Sequence, residues 1–271
     1  MLINFLKECA TIAISIFSFL ITIIPEKQFL RKILFENLSD EWNIIINRVL
    51  LLLVLIIITS IGYKIVIFII WWKTIKGKNY TIIIEYKDIF DIKNCKKVIP
   101  FDECYTTKVG NAPGEIKPKS ICGQYLQKYP IANIQPLLDG IQLKPNGKSK
   151  YQNKEKYESG RLIPANEFLL LAFAKLDKDG LGRMTREELN ECLSVLWTEL
   201  DKYYGQQDVC IPILGSGITR MNDTSLMQQE LLDIIIASYK LSPAKIKTPY
   251  KLHIVCKRTD DFSLDRIGNY I

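Results

Sequence analysis

Histidine is almost missing from this sequence, since His253 is the only one among its 271 residues. A zinc site of the His/Cys type or a Ser-His-Asp triad would have to be built around that one side chain. His253 lies in the apolar run Leu252–Val255, which is typical of a buried strand. We therefore interpret it as a structural histidine and expect neither a zinc site of this type nor a Ser-His-Asp triad.

Closely spaced cysteines are missing as well. The chain has seven cysteines, an odd number, and none of them form a C-x-x-C pair. This pattern favours reduced thiols and a cytosolic compartment over a disulfide framework. The cysteines are residues 9, 95, 104, 122, 192, 210 and 256.

The basic residues form no arginine-rich helix and no strand in which they alternate with aromatic residues, although the formal net charge is +7. We therefore expect no nucleic-acid partner. Lys73, Lys76 and Lys78 form a cluster that suits the anionic headgroups of a lipid bilayer. The remaining positive charge suits a phosphorylated ligand.

What the sequence does contain is two long apolar segments, at about residues 4–24 and 49–72. A helix needs roughly 20 apolar residues to cross a bilayer. Trp71 and Trp72 precede the lysine cluster, an order typical of a membrane interface. Residues 1–78 are therefore predicted to form a two-helix transmembrane hairpin, followed by a ligand-binding domain at 79–271. Lys64 is the only charge in the second segment, and we interpret it as an interface, ion-pair or pore-lining residue.

A cleaved signal peptide is the alternative for residues 1–24, but this segment has no basic n-region and no small-residue cleavage site. Lysines after Trp72 and the unpaired cysteines favour a cytoplasmic C-terminal domain. The sequence thus predicts a multi-pass protein of the inner or plasma membrane.

The second part of the chain alternates between strand and helix patterns. Strands are predicted at Thr81–Tyr86, Lys97–Phe101, Phe168–Leu176, Asp208–Leu214 and Tyr250–Cys256. The capping box from Thr185 to Glu188 predicts a helix through Tyr203, and Asn222–Ser225 would cap another through Tyr239. Residues 141–160 are predicted to form an exposed loop or hairpin. This order indicates an α/β fold with a parallel sheet that binds ligands at the carboxyl ends of its strands.

A glycine-containing loop follows one predicted strand, in the segment Ile211-Pro-Ile-Leu-Gly-Ser-Gly-Ile-Thr-Arg220. Glycines let backbone N–H groups approach a phosphate, and the following helix adds positive potential. The guanidinium of Arg220 would add two charged hydrogen bonds to the phosphate. A plain tight turn between strand and helix is the alternative.

The segment Asp177–Glu188 imitates an EF-hand calcium loop, with acidic residues at loop positions 1, 3 and 12 and Gly182 at position 6. Leu181 stands where position 5 normally supplies an oxygen ligand, and the chain has no second hand. We therefore favour a strand-to-helix loop with turn glycines, and keep a calcium-regulated protein as the alternative.

Asp102 follows the strand that ends in Ile99-Pro-Phe101, and Ile163-Pro-Ala165 before Asn166 echoes it. At a strand end, Asp102 would contact a ribose hydroxyl or a charged ligand group. Loop chemistry, in which the side chain bonds its own backbone, is the alternative.

Read together, these segments resemble a macro domain, the α/β/α fold that binds ADP-ribose, with a mixed, largely parallel sheet. The match covers about residues 80–258, and Ile211–Ile218 is its most specific part. The resemblance implies that Asp88 contacts adenine and that the loop at 214–218 holds the diphosphate. The residues it implies in ligand binding are Asp88, Ile89, Phe101, Asp102, Glu103, Thr106, Ser120, Gly123, Leu214, Gly215, Ser216, Gly217, Ile218 and Arg220.

The sequence departs from the macro pattern in two places. Pro100–Glu103 replaces the family's Asn-Ala-Ala-Asn element, and Ser120–Gly123 is the nearest match to its glycine-rich first phosphate loop. Hydrolytic macro domains depend on these elements. The resemblance therefore implies a ligand-binding protein rather than an enzyme, with no cofactor beyond the ADP-ribose derivative itself.

Two transmembrane helices before a macro domain resemble the membrane effectors of Thoeris antiphage systems. This resemblance implies that a partner enzyme with a TIR domain makes an ADP-ribose-derived signal, and that the effector assembles as a homo-oligomer and disrupts the bacterial membrane in abortive infection. The other hypotheses are a membrane-tethered ADP-ribosyl hydrolase and a passive ADP-ribose-binding module or anchor.

Overall fold

The computed structural model describes residues 2–30, 39–69, 71–217, 220–221, 226–259 and 262–267. The chain divides into two compact units, Met1–Ile70 and Trp71–Ile271. The first contains two helices, α1 (Leu2–Ile23) and α2 (Asp40–Ile69), with a short 3₁₀ turn at Glu26–Gln28. The two helices contact each other, and the Thr59 hydroxyl of α2 donates to the Cys9 carbonyl of α1 at 3.4 Å.

Among the described residues, one helical stretch is long and apolar enough to cross a membrane, Asp40–Gly62 of α2, and 6% of its most apolar window is buried. The apolar part of α1, Cys9–Ile23, is shorter. The two-span hairpin therefore stays a prediction. The side chain of Lys64 lies outside the described residues.

The end of the second apolar segment differs from the prediction. Helix α2 ends at Ile69, and Trp72 begins a strand, so the second unit starts before residue 79. Trp72, Thr74 and Lys76 alternate with less exposed residues, and this strand pairs antiparallel with the next one. A period of two residues fits a strand at a sheet edge and not the helix end that we predicted.

The second unit consists of a sheet, a separate hairpin and four helices among its described residues. The sheet strands are β1 (Trp72–Lys76), β2 (Thr81–Tyr86), β3 (Cys95–Asp102), β6 (Leu162–Ala165), β7 (Phe168–Leu176), β8 (Gly182–Met184), β9 (Asp208–Pro212), β10 (Arg220–Met221) and β11 (Leu252–Cys256). The hairpin consists of β4 (Gly147–Lys148) and β5 (Glu155–Lys156). The helices are α3 (Ile121–Lys128), α4 (Gln135–Gly140), α5 (Arg186–Tyr203) and α6 (Gln228–Leu241).

The described strands join in the order β1-β2-β11-β9-β3-β7-β8-β10, with β6 paired to β7. In this order, the five strands from β2 to β7 are mutually parallel. β1 pairs antiparallel with β2, β6 and β8 pair antiparallel with β7, and β10 pairs parallel with β8. The predicted mixed, largely parallel sheet is confirmed. The predicted bounds of β2 and of β7 are also confirmed, and residues 141–160 contain the β4–β5 hairpin.

Helices cover both faces of this sheet. Alternate side chains of β3 and β7, including Ile99, Phe101 and Leu170, pack in one core with Tyr125 of α3 and Leu138 of α4. The intervening residues face the other side, where α5 packs against α6 and against β6 and β7. The domain therefore has the three-layer α/β/α architecture.

Helix α5 begins where the capping box predicts. The Thr185 hydroxyl accepts from the Glu188 N–H at 3.1 Å, and the Glu188 carboxylate accepts from the Thr185 N–H at 2.8 Å. The helix ends at Tyr203, as predicted. The predicted cap of α6, Asn222–Ser225, lies outside the described residues.

Candidate functional site

The five parallel strands bring five chain segments to one edge of the sheet. Because parallel strands share a direction, the residues after β2, β11, β9, β3 and β7 follow one another along this edge in that order. Neighbouring strands lie about 4.8 Å apart, so the row is about 19 Å long. This edge is where α/β sheets bind ligands.

A cavity of about 460 Å³ lies along this edge, within the range of about 300–1,000 Å³ for small-molecule sites. Every strand of the row contributes to it. Among the described residues, its walls include Lys87–Phe90 after β2, Phe101 and Asp102 of β3, 114–117 and 119–122 before and in α3, Leu176 of β7 and 180–182 beyond it, 213–217 after β9, and Lys257 and Thr259 after β11.

Asp88 lies at the β2 end of the cavity. Its carboxylate accepts from the Phe90 N–H at 2.9 Å and so caps the 3₁₀ turn Ile89–Asp91. Ile89 is buried, and Ile89 and Phe90 both line the cavity. This end thus combines a carboxylate with apolar surface, which suits a heterocyclic base.

Asp102 lies at the carboxyl end of β3, with 5% of its surface exposed. One carboxylate oxygen accepts from the N–H groups of Cys104 and Thr106, at 2.9 and 3.1 Å. Burial raises the pKa of this carboxyl, while those bonds oppose the rise. Asp102 therefore orders its own loop, as the loop interpretation predicts, and it also lines the cavity. Its contact with a ligand stays a prediction.

Three predicted residues do not line the cavity. The Glu103 carboxylate is directed away from it and accepts from the Ser149 hydroxyl at 2.6 Å and the Leu176 N–H at 3.2 Å. Glu103 lies in the turn after β3, and these two bonds hold its carboxylate away from that of Asp102. Thr106 supports Asp102 through its N–H. Gly123 lies inside α3, where a Cβ would come within 2.2 Å of the Lys117 carbonyl oxygen.

Ser120 begins α3, whose first turn forms one wall. Its hydroxyl accepts from the Gly123 N–H at 2.9 Å and donates to the Lys117 carbonyl at 2.7 Å. Ser120, Ile121 and Cys122 line the cavity. Positive potential at a helix N-terminus favours an anionic ligand group there.

The glycine loop after β9 forms the middle of the cavity. Gly215 has a φ of +84°, which favours glycine. The Ser216 hydroxyl donates to the Ile213 carbonyl at 2.6 Å, and a Cβ on Gly217 would meet no atom within 4 Å. Leu214, Gly215, Ser216 and Gly217 all line the cavity. Ile218 and the side chain of Arg220 lie outside the described residues.

Four lysines of the cavity wall were not predicted from the sequence: Lys87, Lys117, Lys119 and Lys257. Lys257 follows β11 directly, and the rule that ligands lie at carboxyl strand ends could have identified it. Lys117 and Lys119 precede α3 in an irregular segment where no periodic pattern marks them. Their charge favours an anionic ligand.

The EF-hand-like segment is a second wall that the sequence did not reveal. A strand, β7, precedes it, where an EF-hand has a helix. The Asp177 carboxylate accepts from the N–H groups of Asp179 and Leu181, each at 2.9 Å, and pairs with Arg183. The Gly180–Gly182 part of this turn lines the cavity.

His253 lies away from the cavity, near the amino end of β11. Its Nδ1 is 2.6 Å from the Glu85 carboxylate, and its Nε2 is 3.2 Å from that of Asp208. Both ring nitrogens are thus used in contacts between β11, β2 and β9.

All seven cysteines are free thiols. Cys256 lies in the cavity wall, and burial raises the pKa of its thiol to about 12.

A three-layer domain with a long cavity at the carboxyl ends of parallel strands defines the chain as an α/β ligand-binding protein. A family model described as "Thoeris protein ThsA, Macro domain" matches residues 82–257, more than half of the chain. The chain therefore belongs to the Thoeris ThsA macro-domain family, and the macro-domain resemblance is confirmed.

Individual proteins are also similar. Thoeris protein ThsA of Bacillus amyloliquefaciens (strain Y2) is 30% identical over 183 residues, which cover 64% of this chain and 61% of that protein. The chain thus matches less than two thirds of this relative's length. The macrodomain of Thermus aquaticus DarG is 14% identical, with a TM-score of 0.39 over 65% of this chain and 97% of that one. A macrodomain mutant from Oceanobacillus iheyensis is 11% identical, with a TM-score of 0.43 over 71% and 93%.

Proposed function

We propose that this chain is a membrane-anchored effector of bacterial antiviral defence. Its macro domain senses an ADP-ribose-derived nucleotide that a TIR-domain partner makes, and binding leads to membrane disruption and abortive infection. Family membership supports the defence role. The single observation that carries the ligand class is the cavity of about 460 Å³, which extends along five strand ends.

The cavity walls suggest how such a nucleotide lies. Adenine would sit at the β2 end, beside Asp88 and Phe90. The diphosphate would lie across the middle, where the Gly215–Gly217 backbone faces the first turn of α3 and the positive potential of its N-terminus. The distal ribose and any attached group would then reach Asp102 and the turn at Gly180–Gly182.

The first unit supplies the proposed membrane output. The lipid-facing element would be α2, whose outward side chains are large and apolar, among them Ile57, Ile58 and Ile61, each more than half exposed. Two helices per subunit form a pore only as a homo-oligomer, so ligand must favour the assembled state over the resting one. The proposed location is the bacterial inner membrane, with the macro domain in the cytoplasm.

Calorimetric titration of the detergent-solubilised full chain with ADP-ribose, ADP and AMP tests the sensing step. We expect micromolar or tighter binding of ADP-ribose and progressively weaker binding of the shorter nucleotides. Gly217→Glu should abolish binding, because it adds a carboxylate where the diphosphate would lie and has free space for its Cβ. Gly140→Glu is the matched control, since its Cβ also meets no atom within 4 Å but it does not line the cavity.

A turnover assay addresses the alternative, a membrane-tethered ADP-ribosyl hydrolase. Asp102 is the buried carboxyl in the cavity wall, at the end of β3 where the distal ribose would lie. Release of ADP-ribose from an ADP-ribosylated protein, lost in Asp102→Asn, would favour hydrolysis. Binding without turnover would support the sensor.

A further inference from the structure

Arg258 lies between two aromatic rings at one end of the sheet. Its guanidinium carbon is 4.8 Å from the ring centroid of Trp71 and 4.8 Å from that of Tyr86. The Tyr86 N–H also donates to the Trp71 carbonyl at 2.9 Å. A guanidinium stacked on aromatic faces is attracted by both rings, and the planar group fits this geometry.

Both partners of Trp71 in this stack are flanked by residues of the cavity wall. Lys257 and Thr259, on either side of Arg258, line the cavity, and so do Lys87 and Asp88, which follow Tyr86. Neither Arg258 nor Trp71 lines it. A nucleotide that contacts Lys257 or Asp88 therefore acts on backbone directly attached to the stack.

Trp71 is also the second residue after the end of α2 at Ile69. It precedes β1 directly, and a segment after Arg258 is anchored to that strand. The Lys73 ammonium donates to the Ile267 carbonyl, and the rings of Phe262 and Tyr86 pack edge to face at 5.8 Å. Phe262, Leu264 and Ile267 are buried. The chain after the apolar helix is thus held by residues that continue from the cavity wall.

We propose that the Arg258–Trp71–Tyr86 stack couples ligand binding to the apolar helix α2. The inference rests on the proposed function and specifies how its two ends communicate. Ligand contact shifts Lys257 and Thr259, the shift changes the Arg258 stack, and Trp71 passes the change along the chain to α2. The stack is then a two-state element that ligand biases.

The test uses the full chain in liposomes of phosphatidylethanolamine and phosphatidylglycerol that contain a self-quenching dye, with ADP-ribose as the probe. Binding is measured by calorimetry, and dye release is measured on the same preparation. Arg258→Ala and Trp71→Ala should each bind ADP-ribose within about twofold of wild type. Each should need about tenfold more ADP-ribose for half-maximal release, a coupling of ordinary size.

Three further variants separate coupling from loss of structure. The double variant should be no worse than either single variant, because both remove one interaction. Trp71→Tyr keeps a ring and should release dye at nearly wild-type concentrations. Lys245→Ala removes a cation from two other aromatic rings, those of Tyr80 and Tyr239 at 5.5 and 5.0 Å, which do not line the cavity, and should leave release unchanged.

The outcomes distinguish this proposal from the proposed function. Wild-type binding and release together with unchanged release in both alanine variants would overturn the coupling role alone. Wild-type binding without any release would overturn the membrane output, and the coupling role with it, but leave ligand sensing. If the wild-type chain does not bind ADP-ribose, then ligand sensing, membrane output and the coupling role are all overturned.

Discussion

The backbone N–H of Gly114 donates a hydrogen bond to the carbonyl oxygen of Gly180, with 3.2 Å between the two atoms. Both residues have a positive φ, +72° and +73°, and both line the cavity. The Tyr151 ring packs against them from the β4–β5 hairpin, and its hydroxyl donates to the Pro113 carbonyl at 2.8 Å. Three distant segments thus close one end of the cavity.

Gly180→Ala should disturb this closure. The left-handed backbone costs about 1–2 kcal/mol for a residue with a Cβ, and here the Cβ would also come within 2.5 Å of the Gly114 nitrogen. We expect a lower thermal midpoint and weaker ADP-ribose binding, by differential scanning fluorimetry and calorimetry. Gly205→Ala carries the same strain, at a φ of +60°, but its nearest atom is 3.9 Å away. We expect this control to lose stability and to keep its affinity for ADP-ribose; a similar loss of affinity in both variants would contradict the role of Gly180 in closing the cavity.

Calcium should not bind to the segment Asp177–Glu188 with micromolar affinity. The Asp177 carboxylate is already engaged by two N–H groups and Arg183, and that of Glu188 by Lys175 and the Thr185 N–H. Calorimetric titration of the full chain with calcium chloride at pH 7.5 measures this. A micromolar dissociation constant that Asp177→Asn abolishes would contradict our interpretation of the turn.

Asp102→Asn should stabilise the domain at neutral pH. Burial raises the pKa of Asp102 above its unfolded value, so ionisation costs stability as the pH rises through the unfolded pKa of about 3.9. An asparagine keeps an oxygen for the Cys104 and Thr106 N–H groups. We expect the thermal midpoint of the variant to be about 2–4 °C higher at pH 7.5. A gain of about 1 kcal/mol in the free energy of unfolding gives this shift in a domain of this size.

The pH dependence provides the check on that cause. The gain from Asp102→Asn should shrink as the pH falls and be small near pH 3.5, where the wild-type carboxyl is mostly protonated in both states. A gain that is equal at pH 3.5 and pH 7.5 would exclude desolvation of the charge as its origin.

Thr185→Ala should destabilise the domain by about 1 kcal/mol, because α5 loses the acceptor for its Glu188 N–H. Chemical denaturation monitored by circular dichroism measures the change. Thr198→Ala is a matched control in the middle of the same helix, where the hydroxyl bonds only its own helix backbone. Equal losses in the two variants would show that the cap is not the cause.

Local signals predicted much of this fold. A run of β-branched residues located the strand Thr81–Tyr86, and the capping box of Thr185 and Glu188 located the start of α5. Both patterns depend on neighbours in sequence. The boundary at Trp72 was missed because an apolar stretch reads alike as a helix end or an edge strand. Tertiary pairing with β2 decided between them.

The candidate site was predictable where it lies in or next to a strand end. Asp88, Asp102 and the loop Leu214–Gly217 all line the cavity. The macro-domain resemblance also placed Glu103 there, but Glu103 lies in the turn after β3 and its carboxylate accepts from Ser149 and Leu176 instead. The turn glycines at Gly180–Gly182 were predicted, but their place in the cavity wall was not, because it depends on a contact with a segment more than 60 residues away.

The structure of the full chain in complex with ADP-ribose tests the central claim most directly. We predict adenine beside Asp88 and Phe90, the diphosphate on the backbone of Gly215–Gly217, and the distal ribose near Asp102. A nucleotide bound elsewhere on the domain, or a cavity that stays empty at saturating ADP-ribose, would contradict the account.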